Sequence, residues 1–299
     1  MRMYHKSVLL DACLEGLALK ESGTYVDVTF GGGGHTKAIL DAIGSRGKVI
    51  AFDQDEDAIE NLLDDDRLIF IHQNFSFLQR FLKFHKIDKV DGILADLGVS
   101  SHQIDTPGRG FSIRFDGPLD MRMNSLERLS ARDVVNTYTK EQLSDIFYQY
   151  GELTNPRKIA LRIVEQRSQK PIETTLELTE ILSPLVPVKI KHKVMAQIFQ
   201  ALRIEVNQEL YALKSLLEQS GEVIKSNGRL CVISYHSLED RLVKRFIQYG
   251  CFNSEPIKDE FGHSHVPFKK VGKLALPSEK EIKKNKRARS AKLRIAEKI

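Results

Sequence analysis

The chain has 299 residues, 41% hydrophobic and 28% charged, with a formal net charge of +5 at pH 7 and three cysteines. That length suits one large or two ordinary domains, and the composition is that of a soluble globular protein rather than a disordered or fibrous one. No apolar run nears the ~20 residues of a membrane span. Met1–Ser7 lacks a leader's apolar core. Cys13, Cys231 and Cys251 are too scattered for a disulfide framework or a CxxC zinc site, which fits a reducing cytoplasm.

The charge is uneven. Residues 1–104 carry 11 basic and 16 acidic side chains, 105–206 carry 15 and 13, and 207–299 carry 19 and 11, that is −5, +2 and +8. A polyanionic partner would therefore meet the later parts of the chain.

In chain order, residues 7–19 read as a short amphipathic helix, with His5 and Ser7 at its entrance. Tyr25–Phe30 is β-branched and aromatic, as a buried strand is. It runs into Gly31–Gly34, and a helix follows over Thr36–Ile43. Glycines let the backbone turn sharply and approach a ligand, and the helix start offers free N–H groups to an anion. Lys48–Asp53 is a second strand ending in a carboxylate, which can accept the hydroxyls of an adenosine ribose. The G-x-G-x-x-G of dinucleotide folds is missing. Asp27, inside the first strand, suits instead a cofactor carrying an ammonium and a carboxylate, such as S-adenosylmethionine.

Asp55–Leu63 reads as a helix, Leu68–Ile71 as a third strand, Phe75–Phe84 as loop and helix, and Val90–Asp96 as a fourth strand. Strands alternating with helices predict parallel βαβ units, with ligands beyond the strands' carboxyl ends. The rhythm then stops. Residues 105–206 show no convincing strand, but do show Ser130-x-x-Asp133 and Thr139-x-x-Gln142 as capping boxes and Asn155-Pro156 as a helix start. A long helix over Val194–Glu218 leads back to a fifth strand, Arg229–Ser234. Ser237-x-x-Asp240 opens another helix, residues 250–290 read as irregular and basic, and 291–296 alternate as a final strand. The chain thus divides into 1–104, an inserted helical unit over 105–206, and 207–299.

Asp96, ending the fourth strand beside the glycine loop, is the candidate catalytic carboxylate. His236 is open to two readings, a ligand contact or part of the neighbouring cap. No G-x-S-x-G elbow surrounds Ser234 or Ser237, Gly44-x-x-Gly47-Lys48 is not a P-loop, and Cys251, His263 and His265 lack a metal-ligand spacing, so no metal is expected. Lys189–Lys193, Lys283–Arg289, and Arg157 with Lys158 and Arg162 are basic clusters able to grip phosphates. With an adenosine-type cradle, they point to nucleic acid as substrate.

Seven segments then carry a specific resemblance: 29–35 (TFGGGGH), 96–101 (DLGVSS), 109–112 (RGFS), 116–123 (DGPLDMRM), 199–204 (FQALRI), 234–241 (SYHSLEDR) and 287–290 (RARS). In this order they resemble the bacterial small-subunit rRNA cytosine-N4 methyltransferase family (RsmH, also MraW), across nearly the whole chain. The resemblance implies a class I, Rossmann-like S-adenosylmethionine-dependent methyltransferase sheet interrupted by a helical substrate-recognition domain. It implies N4-methylation of a cytidine in the decoding region (P-site) of 16S rRNA, with the small ribosomal subunit as partner. It carries cofactor contacts to Gly33, Gly34, His35, Asp53, Phe75, Asp96 and Gln103. Asn124 and Lys286 depart from the family's usual aspartate and proline, and the Pro-Pro-aromatic signature of many amino-methyltransferases is absent after Asp96. Two other classes stay open: a nicotinamide-dependent oxidoreductase, and a non-catalytic RNA-binding ribosome-assembly factor. The residues set no oligomeric state, and a homodimer remains an option.

Overall fold

Seven strands form one sheet in the order β3-β2-β1-β4-β5-β7-β6. They are β1 (Thr24–Asp27), β2 (Lys48–Asp53), β3 (Leu68–His72), β4 (Val90–Asp96), β5 (Ile224–Ser234), β6 (Phe268–Ala275) and β7 (Lys292–Lys298). The first five run parallel, and β7 lies antiparallel to both β5 and β6. This order and polarity are those of the class I methyltransferase sheet. The computed structural model describes residues 7–253, 255–256, 260–262 and 266–299. Met1–Lys6, most of the stretch read as leader-free, lies outside the described residues, as do His263 and His265 of the metal reading.

The helices, numbered in chain order, fall into two groups. With the sheet go α1 (Leu10–Leu17), α2 (Gly34–Ala42), α3 (Leu78–Phe84), α10 (Glu209–Val223), α11 (Ser237–Tyr249) and α12 (Glu279–Lys284). The helical stretch holds α4 (Ser101–Asp105), α5 (Ala131–Thr137), α6 (Lys140–Gln149), α7 (Pro156–Arg167), α8 (Thr175–Leu182) and α9 (Lys191–Asn207). The chain separates into two compact units, Met1–Gly98 with Leu210–Ile299, and Val99–Glu209. No described helix is long and apolar enough to cross a membrane.

β4 sits near the middle of the sheet with helices over both faces, so every residue from Val90 to Ala95 is buried. That is why its residues, apart from Asp91, are apolar or glycine rather than alternating with polar ones. One core layer joins Val26, Ile50, Ile93 and Val232 to Leu216 and Phe246, and a second joins Tyr25, Leu94 and Ile233 to Leu17 and Leu293. Burying each such side chain contributes roughly 1.5–3 kcal/mol. α1 packs on β4, β5 and β7. The Leu9 N–H donates to Glu281 Oε1 at 2.7 Å, tying the start of the chain to α12. The helical unit has its own core around Phe147, Ile159, Ile163, Leu178, Ile198 and Leu202.

Three expectations need correction. The helix foreseen over 194–218 is two helices. Gln208 adopts a left-handed conformation (φ 49°) that closes α9, and α10 starts anew at Glu209. The stretch 250–290 holds a strand, β6, and the helix α12. β6 bears Lys269, Lys270 and Lys273 at the free edge of the sheet, so its apolar alternation is masked. α11 is capped by His236 with Glu239, not by Ser237 with Asp240. Asp240 instead accepts from Arg294 Nε at 2.7 Å and Nη2 at 3.2 Å. The boxes at Ser130/Asp133 and Thr139/Gln142 form as expected, and Pro156 opens α7 after Asn155.

Candidate active site

β1 and β4 are neighbours, yet the chain leaves β1 towards β2 and β3 and returns to β4 on the other side. Such a reversal opens a crevice at the carboxyl ends of the strands. Asp27, Asp53 and Asp96 end β1, β2 and β4 at that edge, and Phe75 follows β3 there.

The glycine loop forms one wall. Asp27, ending β1, is fully buried; its carboxylate accepts the Thr29 N–H at 3.1 Å and the Thr36 hydroxyl at 2.7 Å. It therefore fastens the loop to the first turn of α2. The ammonium contact expected of Asp27 is not what this geometry provides, since no part of the residue is exposed. Gly33, at φ 74°, is the N-cap of α2. A Cβ on Gly34 would lie 2.2 Å from Ser7 Oγ, so a larger residue there requires the Ser7 hydroxyl to move. The first-turn amides of α2 then point out of the helix end, unpaired by helix geometry and suited to an anionic group.

Asp53, ending β2, closes onto this wall. Its Oδ2 accepts the Gly31 N–H at 2.7 Å and its Oδ1 the Asp55 N–H at 2.9 Å. Burial pushes its pKa up to about 6, against the pull of those two backbone donors. Loop and carboxylate are thus in direct contact, close enough to face one small molecule.

Asp96, ending β4, is the third element. Its N–H donates to Thr29 Oγ1 at 2.7 Å, tying it to the glycine loop. Its Oδ1 accepts the Tyr235 hydroxyl at 2.7 Å, and its Oδ2 lies 3.8 Å from His35 Nδ1. His35 Nε2 lies 3.0 Å from the Val8 carbonyl, which can only accept, so Nε2 carries a proton and Nδ1 turns to Asp96. Burial raises the pKa of Asp96 above the ordinary carboxylate value, with His35 and Tyr235 opposing it. Burial and the adjoining carboxylate also raise the Tyr235 phenol, so it stays a donor. The Asp96 side chain nevertheless keeps 22% of its surface exposed, so the group is reachable.

Phe75 opens a short 3-10 turn after β3, half-buried, on the same edge. Gln103 lies in the other unit, buried in α4, where its Oε1 accepts the Ser100 N–H at 2.9 Å. His236 is the N-cap of α11, its Nδ1 accepting the Glu239 N–H at 3.4 Å, which is the cap reading, while its Nε2 lies 3.1 Å from Glu239 Oε1. Asp53, Asp96 and the Gly31–His35 loop therefore come together within one unit, with Phe75 on the same edge.

A profile of the MraW methylase family matches residues 2–299. The chain belongs to this family. It is 58% identical over 296 residues to a protein of Flavobacterium johnsoniae named ribosomal RNA small subunit methyltransferase H, covering 99% of this chain and 98% of that one. The protein of the same name from Christiangramia forsetii is 55% identical over 296 residues, with the same coverage. Among solved structures, a putative methyltransferase from Streptococcus mutans, in complex with SAH, aligns over 98% of this chain and 99% of its own, at 12% identity and a TM-score of 0.47.

In this MraW-family chain, three groups of the site escaped sequence reasoning. Tyr235 was visible only as a flank of His236, and its partner lies 139 positions away. Ser7 and the Val8 carbonyl looked like a plain helix entrance, yet they back Gly34 and His35. The one usable signal was that Tyr235 directly follows a predicted strand on the ligand edge.

Proposed function

We propose that the protein uses S-adenosylmethionine to methylate N4 of a cytidine in the decoding region of 16S rRNA, acting in the cytoplasm on the small ribosomal subunit or its RNA. One observation carries this reading: relatives more than half identical over nearly their whole length bear the name of a small-subunit rRNA methyltransferase. The site fits such a cofactor. The first turn of α2, which no side chain caps, starts at the glycine loop, and a carboxylate closes on that loop at 2.7 Å.

When bound, S-adenosylmethionine supplies an electrophilic sulfonium methyl. Gly33, Gly34 and His35 would line its loop side, Asp53 would accept the ribose hydroxyls, and Phe75 would lie against the adenine. For Gln103 the role rests on the family resemblance alone. The cytosine amino group is a poor nucleophile, because its lone pair is delocalised into the ring. Asp96 is suited to accept one amino N–H and so aim the nitrogen. Tyr235 occupies Oδ1, which leaves Oδ2, on the His35 side, for that bond. Positioning of this kind can contribute roughly 7–11 kcal/mol. The amino hydrogen held by Asp96 passes as a proton to its Oδ2 once N4 is substituted. The target base has to be unstacked to reach this edge.

Transfer of a labelled methyl group from S-adenosylmethionine to small subunits lacking the modification tests this reading. N4-methylcytidine in the digested RNA is the expected product. Tight RNA binding with no transfer would instead favour an assembly factor, and cofactor binding that prefers NAD would favour an oxidoreductase.

A further inference from the structure

A cleft of about 350 Å³ lies between α11 and the edge strand β6, three strands away from β4 in the sheet. Ile247, Val271 and Leu274 give it an apolar floor, and Lys244, Lys270 and Lys273 stand around it. The neighbouring cations are neutralised. Lys269 pairs with Glu297 at 2.7 Å, and Arg294 and Lys292 pair with Asp240 at 2.7 and 3.5 Å. Lys244, Lys270 and Lys273 are exposed and have no acidic partner among the described residues. Lysines on an edge strand can serve merely to block sheet-to-sheet pairing. Lys244 is on a helix, however, and that purpose calls for no apolar floor beneath.

The register places this cleft relative to the chemistry. Asp96 pairs with Ile233, Ile233 with Leu293, and Leu293 with Ala275, so the Lys273–Leu274 end of the cleft lies next to the row of Asp96. Three strand spacings of ~4.8 Å put it roughly 14 Å along the ligand edge. A single strand leaving the target base along this edge meets the cleft with its flanking nucleotides. Cationic groups around an apolar floor match the alternation of phosphate and base face in unpaired nucleic acid.

We propose that the α11–β6 cleft is a second RNA site, which seats an unpaired base next to the methylated nucleotide and holds its phosphates with Lys244, Lys270 and Lys273. This rests on the rRNA methyltransferase reading above. The test is a steady-state comparison of the full-length protein with its Lys244→Gln/Lys270→Gln/Lys273→Gln variant, on unmodified small subunits at several salt concentrations. The substituted side chains are exposed, so the fold is kept, and unchanged S-adenosylmethionine affinity checks this. The expected result is a KM for subunits raised by about tenfold at unchanged kcat, and a slope of log affinity against log salt shallower by about 2, since each single-strand phosphate contact contributes roughly 0.7. Leu274→Ala is expected to raise KM with the slope unchanged, because it touches the base and not the phosphates. Equal KM and equal salt slope in the triple variant would overturn the proposal, and so would a loss confined to kcat. Absence of methyl transfer by the unaltered protein would instead overturn the activity, and the two failures are distinct.

Discussion

Tyr235, just past the end of β5, donates its phenolic hydrogen to Asp96, at the end of β4, over 2.7 Å. The bond joins the two strands that frame the reacting edge and leaves one carboxylate oxygen for a substrate. It also favours the ionised form of a carboxyl that burial pushes towards neutrality, while His35 works in the same direction as Tyr235, and Asp27 and Glu239 work against it.

Replacing Tyr235 with phenylalanine should therefore move the acid limb of the kcat profile upward. A hydrogen bond to a charged group contributes about 1.5–3 kcal/mol, and one pKa unit is about 1.4 kcal/mol, so the displacement should be roughly one to two units. Activity at high pH should change far less than activity near neutrality. An unmoved limb with uniformly lower activity would reduce Tyr235 to a packing role.

Asp53 makes cofactor affinity pH-dependent. Its pKa in the folded protein, about 6, lies above the ordinary 3.8, so the ligand-free protein holds this proton more tightly than the unfolded chain does. The stability this group contributes is full below 3.8 and is lost as pH rises through about 6. A ribose needs the ionised carboxylate, so proton and cofactor compete, and affinity should fall by about tenfold per pH unit below that pKa. Calorimetric titration with S-adenosylmethionine from pH 5 to 8 should show the fall in the natural protein and a flat, weaker curve in Asp53→Asn. A flat curve in the natural protein would defeat the ribose assignment.

At Gly34 the clash is specific enough to be relieved. The added methyl of Gly34→Ala would sit 2.2 Å from Ser7 Oγ, so either that hydroxyl or the loop must shift. Overpacking of this kind costs about 1–3 kcal/mol, and cofactor affinity should fall with it. Ser7→Gly removes the opposing atom, and the double variant should recover most of the loss in both melting temperature and affinity. Failure to recover would mean that the loop tolerates no side chain there for some other reason.

The reassignment of Asp240 predicts a stability effect without loss of helix. Asp240→Ala strands Arg294, which is 14% exposed, and should cost about 1.5–3 kcal/mol in denaturant unfolding. The far-ultraviolet signal of α11 should persist, because its cap is His236 with Glu239. A fraying helix would restore the reading in which Asp240 closes the cap.

What could be foreseen from the residues follows from where burial is two-sided. β2 and β4 announce themselves because nearly every residue in them is buried. β6 stayed hidden, since its exposed lysines outnumber the one fully buried residue, Phe268. The break at Gln208 was equally silent, because glutamine has no special liking for the left-handed conformation and the apolar period runs on through it. At the site, the Gly31–Asp53 contact was foreshadowed by two strand ends about 20 residues apart. The Tyr235–Asp96 bond joins elements separated by the entire helical unit, and no local pattern reports such a contact.

The bond between Leu9 and Glu281 has a bearing on biosynthesis. Ser7 and Val8, which back the glycine loop, directly precede the residue that α12 holds. A polypeptide still emerging from the exit tunnel has most of its sheet in hand, but it lacks the clasp on that wall until position 281 is out. The clasp behind the glycine loop therefore forms only after residue 281 has left the ribosome, later than strands β1 to β6.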